Sequence, residues 1–233
     1  MTSGITWTPH ESALWETCRI LAADLRGEVG FQPIPVAFRL LNPVDEKVFI
    51  RSAFRRQYLG QGQHRSNPLL LTWRIAQNLE AKAQRWRDLD GGEILISTHG
   101  FYLQRPKQPL LSFGFGSIAQ GGMVGPGTFE YWINLDDGMT YQHRLIGDWS
   151  ELVFFLWSNA VAPAHPQREN LAWLPPAFVQ RVVEAELWET SPVAELLARQ
   201  LASGGPAPGP APAPAPSPAP PPSPAPPPSP APP

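Results

Sequence analysis

Basic side chains cluster in one stretch of this chain. Between Lys47 and Arg87 stand nine of them (Lys47, Arg51, Arg55, Arg56, Arg65, Arg74, Lys82, Arg85 and Arg87) against one acidic residue, Glu80. Guanidinium forks match the geometry of phosphate and carboxylate, and the interleaved Phe54, Tyr58 and His64 add stacking or hydrogen-bonding groups. The chemistry such a segment would serve is anion binding, to nucleic acid or to an anionic lipid headgroup. Arg51, Arg55, Arg56, Arg65 and Arg74 are the candidate ligating residues. The plainer alternative is a solvated face whose charges pair with acidic residues elsewhere, such as Asp136, Asp137, Asp148 and Glu151.

Catalytic patterns are sparse. His10, His64, His99, His143 and His165 have no close metal-ligand spacing, and neither His-Glu-x-x-His nor Gly-x-Ser-x-Gly occurs, so no metal, cofactor or triad is expected. The one acid-base pair that suggests itself is Glu130 with His143. They lie roughly symmetric about the Asp137-Gly138 turn, which predicts cross-strand neighbours, and Asp136 or Asp137 could serve a hydrolase beside them. Antiparallel strands make such polar pairs routinely on a wet face. The six glycines between Gly114 and Gly127 lack the lysine and hydroxyl of a P-loop and the spacing of a dinucleotide fingerprint. They predict a mobile loop between strands, with Met123 and Val124 as apolar lips of a binding groove.

A formal net charge of −2 excludes a surface built throughout for nucleic acid, so anion binding has to come from local clustering. Cys18 is the only cysteine, which excludes an internal disulfide and every cysteine-rich zinc pattern. It falls on the apolar face of a helix and reads as a packing thiol. The first residues carry neither the basic start nor the apolar run of a signal peptide, and no 18 consecutive residues are apolar. A cytoplasmic protein without a transmembrane segment is expected.

The elements that must position these residues follow from local signals. Thr8-Pro9-His10-Glu11 is a capping-box start for a helix whose apolar stripe runs Leu14, Cys18, Leu21, Leu25 to Gly27. Val36–Leu41 and Lys47–Ala53 read as a hairpin about Asn42-Pro43-Val44-Asp45. Asn67-Pro68 opens a second helix through Leu71, Ile75, Leu79, Ala83 and Trp86, stopped at Gly91-Gly92. From Glu93 the period becomes that of strands: 93–97, 101–104, 110–115, 128–135 and 139–145. Asp148-Trp149-Ser150-Glu151 repeats the capping-box pattern before an apolar helix that Pro163 ends. Helices opened by Pro175-Pro176 and by Ser191-Pro192 complete the globular part. From Pro206 to Pro233 there is no charge and no aromatic residue. The Pro-Ala and Ser-Pro repeats predict a disordered spacer that reaches about 85 Å in polyproline II geometry.

The run Gly92 to Ala160, short antiparallel strands followed by one amphipathic helix, resembles the bacterial pleckstrin-homology-like and GRAM-like domains. The segment Gly92-Glu93-Ile94-Leu95-Ile96-Ser97-Thr98-His99-Gly100-Phe101 is similar to their opening hairpin, and Leu111-Ser112-Phe113 leading to Gly116-Ser117-Ile118 is similar to their third strand and its exit. The family's seven strands are not reached within this stretch. Either the hairpin at 36–53 supplies the rest, or the fold is another α+β sheet with helices on one face. The expected class is α+β: an antiparallel meander closed by a helix over 92–162, a helix-hairpin-helix region over 1–91, C-terminal helices over 163–203 and the tail over 204–233. The resemblance implies a non-enzymatic binding or adaptor module for protein, peptide or lipid headgroup, with no catalytic residue.

Overall fold

The computed structural model describes residues 6–60, 85–134, 140–185, 187 and 191–202. The first helix, α1 (Pro9–Leu25), has the expected start. Glu11 N–H donates to Thr8 Oγ1 at 3.2 Å, and Thr8 N–H donates to Glu11 Oε2 at 2.8 Å. Such a cap is worth about 1 kcal/mol. Gly27, at φ +72°, follows the helix in the left-handed conformation that ends it. Leu14, Cys18 and Leu21 are buried on the inner face, and burial pushes the Cys18 thiol far above its ordinary range, which leaves it an inert packing group.

Seven strands form one antiparallel sheet: β1 (Val48–Gly60), β2 (Arg85–Ser97), β3 (Gly100–Gln104), β4 (Leu111–Gly114), β5 (Ile118–Gly125), β6 (Thr128–Asn134) and β7 (Thr140–Ile146). Their spatial order is β4-β3-β2-β1-β7-β6-β5. Phe101 of β3 and Tyr131 of β6 have ring centroids 6.2 Å apart, although three strands lie between them in the sheet. On a flat sheet four interstrand steps would separate them by roughly 19 Å, at about 4.8 Å per step. The sheet therefore curls into a half-barrel with its apolar residues inside.

Among the described residues, four helices follow β7: α2 (Ser150–Val161), the single turn α3 (Pro166–Glu169), α4 (Pro176–Glu184) and α5 (Pro192–Ala202). Phe154 and Trp157 of α2 pack on Phe129, and Trp157 Nε1 donates to Ile118 O at 3.1 Å, so the indole satisfies its polar atom while burying its rings. Arg181 of α4 reaches Glu11 at 2.6 Å and Glu195 of α5 reaches Arg26 at 2.6 Å, so both C-terminal helices fasten to the ends of α1. No helix among the described residues is long and apolar enough to cross a membrane.

Several expectations are corrected. Val36–Leu41 is not a strand. Its alternation serves to lay Val36, Phe38 and Leu40 on Val48, Leu95 and Tyr102 of the convex face, where Leu41 N–H donates to Tyr102 Oη at 2.7 Å. Glu46, buried beneath this strap, accepts from Ser97 Oγ, Tyr102 Oη and Asn42 N. The helix expected to end at Gly91-Gly92 lies outside the described residues up to Ala83, and the part that is described is strand: Trp86 and both glycines belong to β2. A Cβ on Gly91 would sit 3.0 Å from Phe54 O, so this glycine marks a close strand approach rather than a helix stop. The boundary expected at 91/92 thus falls inside β2. The glycine-rich stretch is not a loop but the end of β4, a 3-10 turn at Phe115–Ser117 and the whole of β5. Glu151 is no capping carboxylate. It is 1% exposed, with His10 Nε2 at 2.9 Å and Gly127 N–H donating at 2.7 Å to the same oxygen.

Candidate functional site

Cross-strand register assembles a set of side chains that are far apart in sequence. Tyr58 on β1 pairs with Arg87 on β2 and with His143 on β7, and His143 pairs with Tyr131 on β6. These four make one row across four adjacent strands. The next row inward holds Arg56 opposite both Asp90 and Leu145, with Leu145 opposite Phe129. The interior of the half-barrel thus changes within one row from aromatic and aliphatic to polar. A bulge helps: Arg56 pairs with Asp90 and Gln57 with Asp88, so Leu89 is the extra residue on β2, and Arg87 returns to the face that Asp90 occupies.

The electrostatics of this end are dominated by cations. Arg56, 5% exposed, donates from Nε and Nη2 to Asp90 at 3.0 and 2.6 Å, the bidentate geometry that guanidinium and carboxylate prefer. Arg105 Nη1 stands 3.4 Å from the same carboxylate. Arg87 spends its Nε on Gly60 O at 3.2 Å. Desolvation, reinforced by the Arg56 charge, lowers the His143 pKa to about 4, so the ring is neutral at pH 7. Burial pushes the Tyr131 hydroxyl up to about 12 against the opposing pull of Arg56. The two rings stack at 5.7 Å.

Four buried polar atoms of this cluster, Arg87 Nη2, Arg105 Nε, Tyr131 Oη and His143 Nδ1, make no well-formed hydrogen bond among the described residues, although the Arg56 guanidinium lies beside the Tyr131 hydroxyl and the Gln57 backbone beside the His143 ring. Leaving a buried donor unmade costs about 1–3 kcal/mol each. A core designed for stability alone would fill these positions with apolar groups. Four such atoms gathered at one end of the barrel single it out as the candidate site.

The expected site residues are dispersed. Arg51 and Arg55 lie on the exposed face of β1, 3.5 Å from Glu93 and 3.9 Å from Asp88 respectively, while Arg56 points inward. Their carboxylate partners come from the neighbouring strand β2, not from the acidic residues beyond β6. Arg65, Arg74 and His64 lie outside the described residues. Met123 is buried and Val124 exposed, so the two do not form a common lip. Glu130 pairs with Arg144, one residue from His143, and successive strand residues face opposite sides. Glu130 accepts from Arg144 Nε at 2.8 Å on the outer face, where the Arg144 guanidinium also stacks 3.8 Å over Trp86. The acid-base pair is therefore absent, and Asp136 and Asp137 lie outside the described residues. Asp90, Arg105 and Tyr131 were not singled out in the sequence, and Tyr58 only as an aromatic residue of the basic segment, because only the register brings them together.

One further concavity, of about 420 Å³, lies between α1, residues 29–32, the start of β1 and Trp149, with Phe31 stacked on Phe49 at 4.1 Å in its wall. Its rim is the exposed Glu16–Arg19 ion pair, already satisfied internally. Fold and site together define an α+β protein built on a curled antiparallel sheet with a polar, cation-rich interior end. No protein-family model matches the chain, and no curated protein matches it either.

Proposed function

We propose that the chain is a non-enzymatic binding module of the pleckstrin-homology-like kind, which takes a group of its partner at the polar end of the half-barrel. Three features support the fold part of this reading. Strands β1 to β4 and β5 to β7 are two consecutive meanders, β1 joins β7, and α2 follows β7 directly. Packing of α2 against β3, β5, β6 and the 3-10 turn supports reading it as the closing helix of such a domain. Two strands beyond the five read between 93 and 145 complete the seven: β5, inside the stretch 92–160, and β1, whose first half takes in Val48–Ala53 of the expected hairpin.

The observation that carries the binding part is the cluster of unsatisfied buried polar atoms on Arg87, Arg105, Tyr131 and His143. The hydrolase alternative loses its only pair, since Glu130 and His143 occupy opposite faces. Nucleic-acid binding through the basic segment is weakened by Arg56 pointing inward and by the carboxylates facing Arg51 and Arg55.

Affinity capture with the full chain, run beside a double variant Arg87→Ala with Arg105→Ala, tests the reading. Bound proteins, peptides and lipids are identified by mass spectrometry. At least one partner is expected to depend on the two arginines; identical sets from both proteins would sink the proposal.

A further inference from the structure

We infer that the polar end of the half-barrel is a binding site for a phosphate monoester group carried on a small soluble molecule. The inference rests on the binding-module reading and gives its ligand a chemistry. The Arg56 and Arg105 guanidiniums share a single carboxylate, Asp90, and Arg87, on the same face of β2, donates to the Gly60 carbonyl, so among the described residues the cluster holds more positive than negative charge where burial strengthens every electrostatic interaction. Asp90 is engaged by Arg56 and by Arg105 Nη1, which leaves Arg87 Nη2, Arg105 Nε and the Tyr131 O–H as donors without acceptors among the described residues. His143, the remaining titratable group of the row, is neutral and offers Nδ1.

The three free donors come from β2, from the segment after β3 and from β6. Donors arriving from separate directions suit an oxyanion with several equivalent oxygens, whereas a planar carboxylate is matched by one arginine fork and leaves the other donors idle. Tyr131 is 0% exposed. An anion that reaches its hydroxyl has to enter the barrel end, a demand that a slim ester meets more easily than a nucleic-acid duplex or a headgroup fixed in a membrane surface.

The test follows the ring resonances of His143 and Tyr131 and the arginine Nε–H resonances in the isotope-labelled full chain during titration with inorganic phosphate, with chloride as the ionic-strength control. Saturable shifts with phosphate but not chloride are expected. Tyr131→Phe and Arg87→Gln should each weaken binding about tenfold, the loss expected of one charge-assisted hydrogen bond. Tyr131→Phe keeps the ring and removes only a hydroxyl beside Arg56, whose guanidinium stays bonded to Asp90, so its thermal midpoint without phosphate should remain close to that of the parent, which separates lost binding from lost folding. Shifts that track ionic strength alone, or binding unchanged in both variants, would mean that ordered water satisfies these donors, and would overturn the inference. So would association with vesicles bearing phosphatidylinositol phosphates in the absence of any response to free phosphate. Partner capture that depends on Arg87 and Arg105 without phosphate binding removes the anion and leaves the module. Phosphate binding beside partner sets that are identical in both proteins keeps the anion site and removes the partner reading.

Discussion

Burial lowers the proton affinity of both His10 and His143, but only His10 is hydrogen-bonded to a carboxylate that overcomes it. The bond to Glu151, with further attraction from Asp148 and Glu11, raises the His10 pKa above its usual 6.5. Its contribution to stability is therefore fully present below about pH 6.5 and is lost as pH rises through the raised value. His143 has the opposite sign. Its pKa falls from 6.5 to about 4, so its contribution is present above 6.5 and fades as the solution is acidified toward 4. Thermal midpoints measured across this range should fall on both sides. His10→Gln should remove the alkaline limb and leave the acidic one; an alkaline limb unchanged in the variant would assign it to another group. His10→Ala strips a side-chain partner from a carboxylate 1% exposed and should cost about 3 kcal/mol in denaturant unfolding at pH 6.

The edge strand β5 shows how an element can be invisible in sequence and still well determined. Gly121 is there because a Cβ would come within 2.7 Å of the Phe129 ring, and Gly122 because one would sit 3.0 Å from Gln167 Oε1. Both reasons lie on other elements, so the local text shows only glycines and reads as a loop. Gln167, on the one-turn α3, donates from Nε2 to Met123 O at 2.7 Å and accepts from Met123 N–H at 2.9 Å. Its carboxamide takes the place of a neighbouring strand and blocks an edge that would otherwise recruit one. Gln167→Ala should expose that edge, and analytical ultracentrifugation should then show self-association that the parent lacks. A monodisperse variant would show that the edge needs no guard. By contrast α1 was legible nearly to the residue, since its cap, its stripe and its terminal glycine are all local. The polar row lay between these extremes. Its members are ordinary strand residues, and a register one residue away would put Glu130 opposite His143 and turn the row's partners to the wrong face.

On the scale of the whole molecule, β1 is the strand on which the others depend. Its residues Arg55 to Tyr58 pair with β2 on one side and β7 on the other, and without it the two meanders are separate sheets. The class α+β and, at least in part, every strand but β5 could be read from alternation alone. The curl could not, because it rests on contacts such as that of Phe101 with Tyr131 across the barrel. The pairing of β1 with β7 also sets a timetable. A ribosome releases the chain from its N-terminus, and β1 leaves the exit tunnel long before its second neighbour has been translated. The half-barrel can close only after Ile146 emerges, which makes its assembly a late, long-range event of the kind that folds slowly. Nascent chains stalled before Thr140 should therefore be cut by protease within β1 and β2, and chains stalled well past Val161 should resist. Early protection would mean that the first meander is a folding unit in its own right.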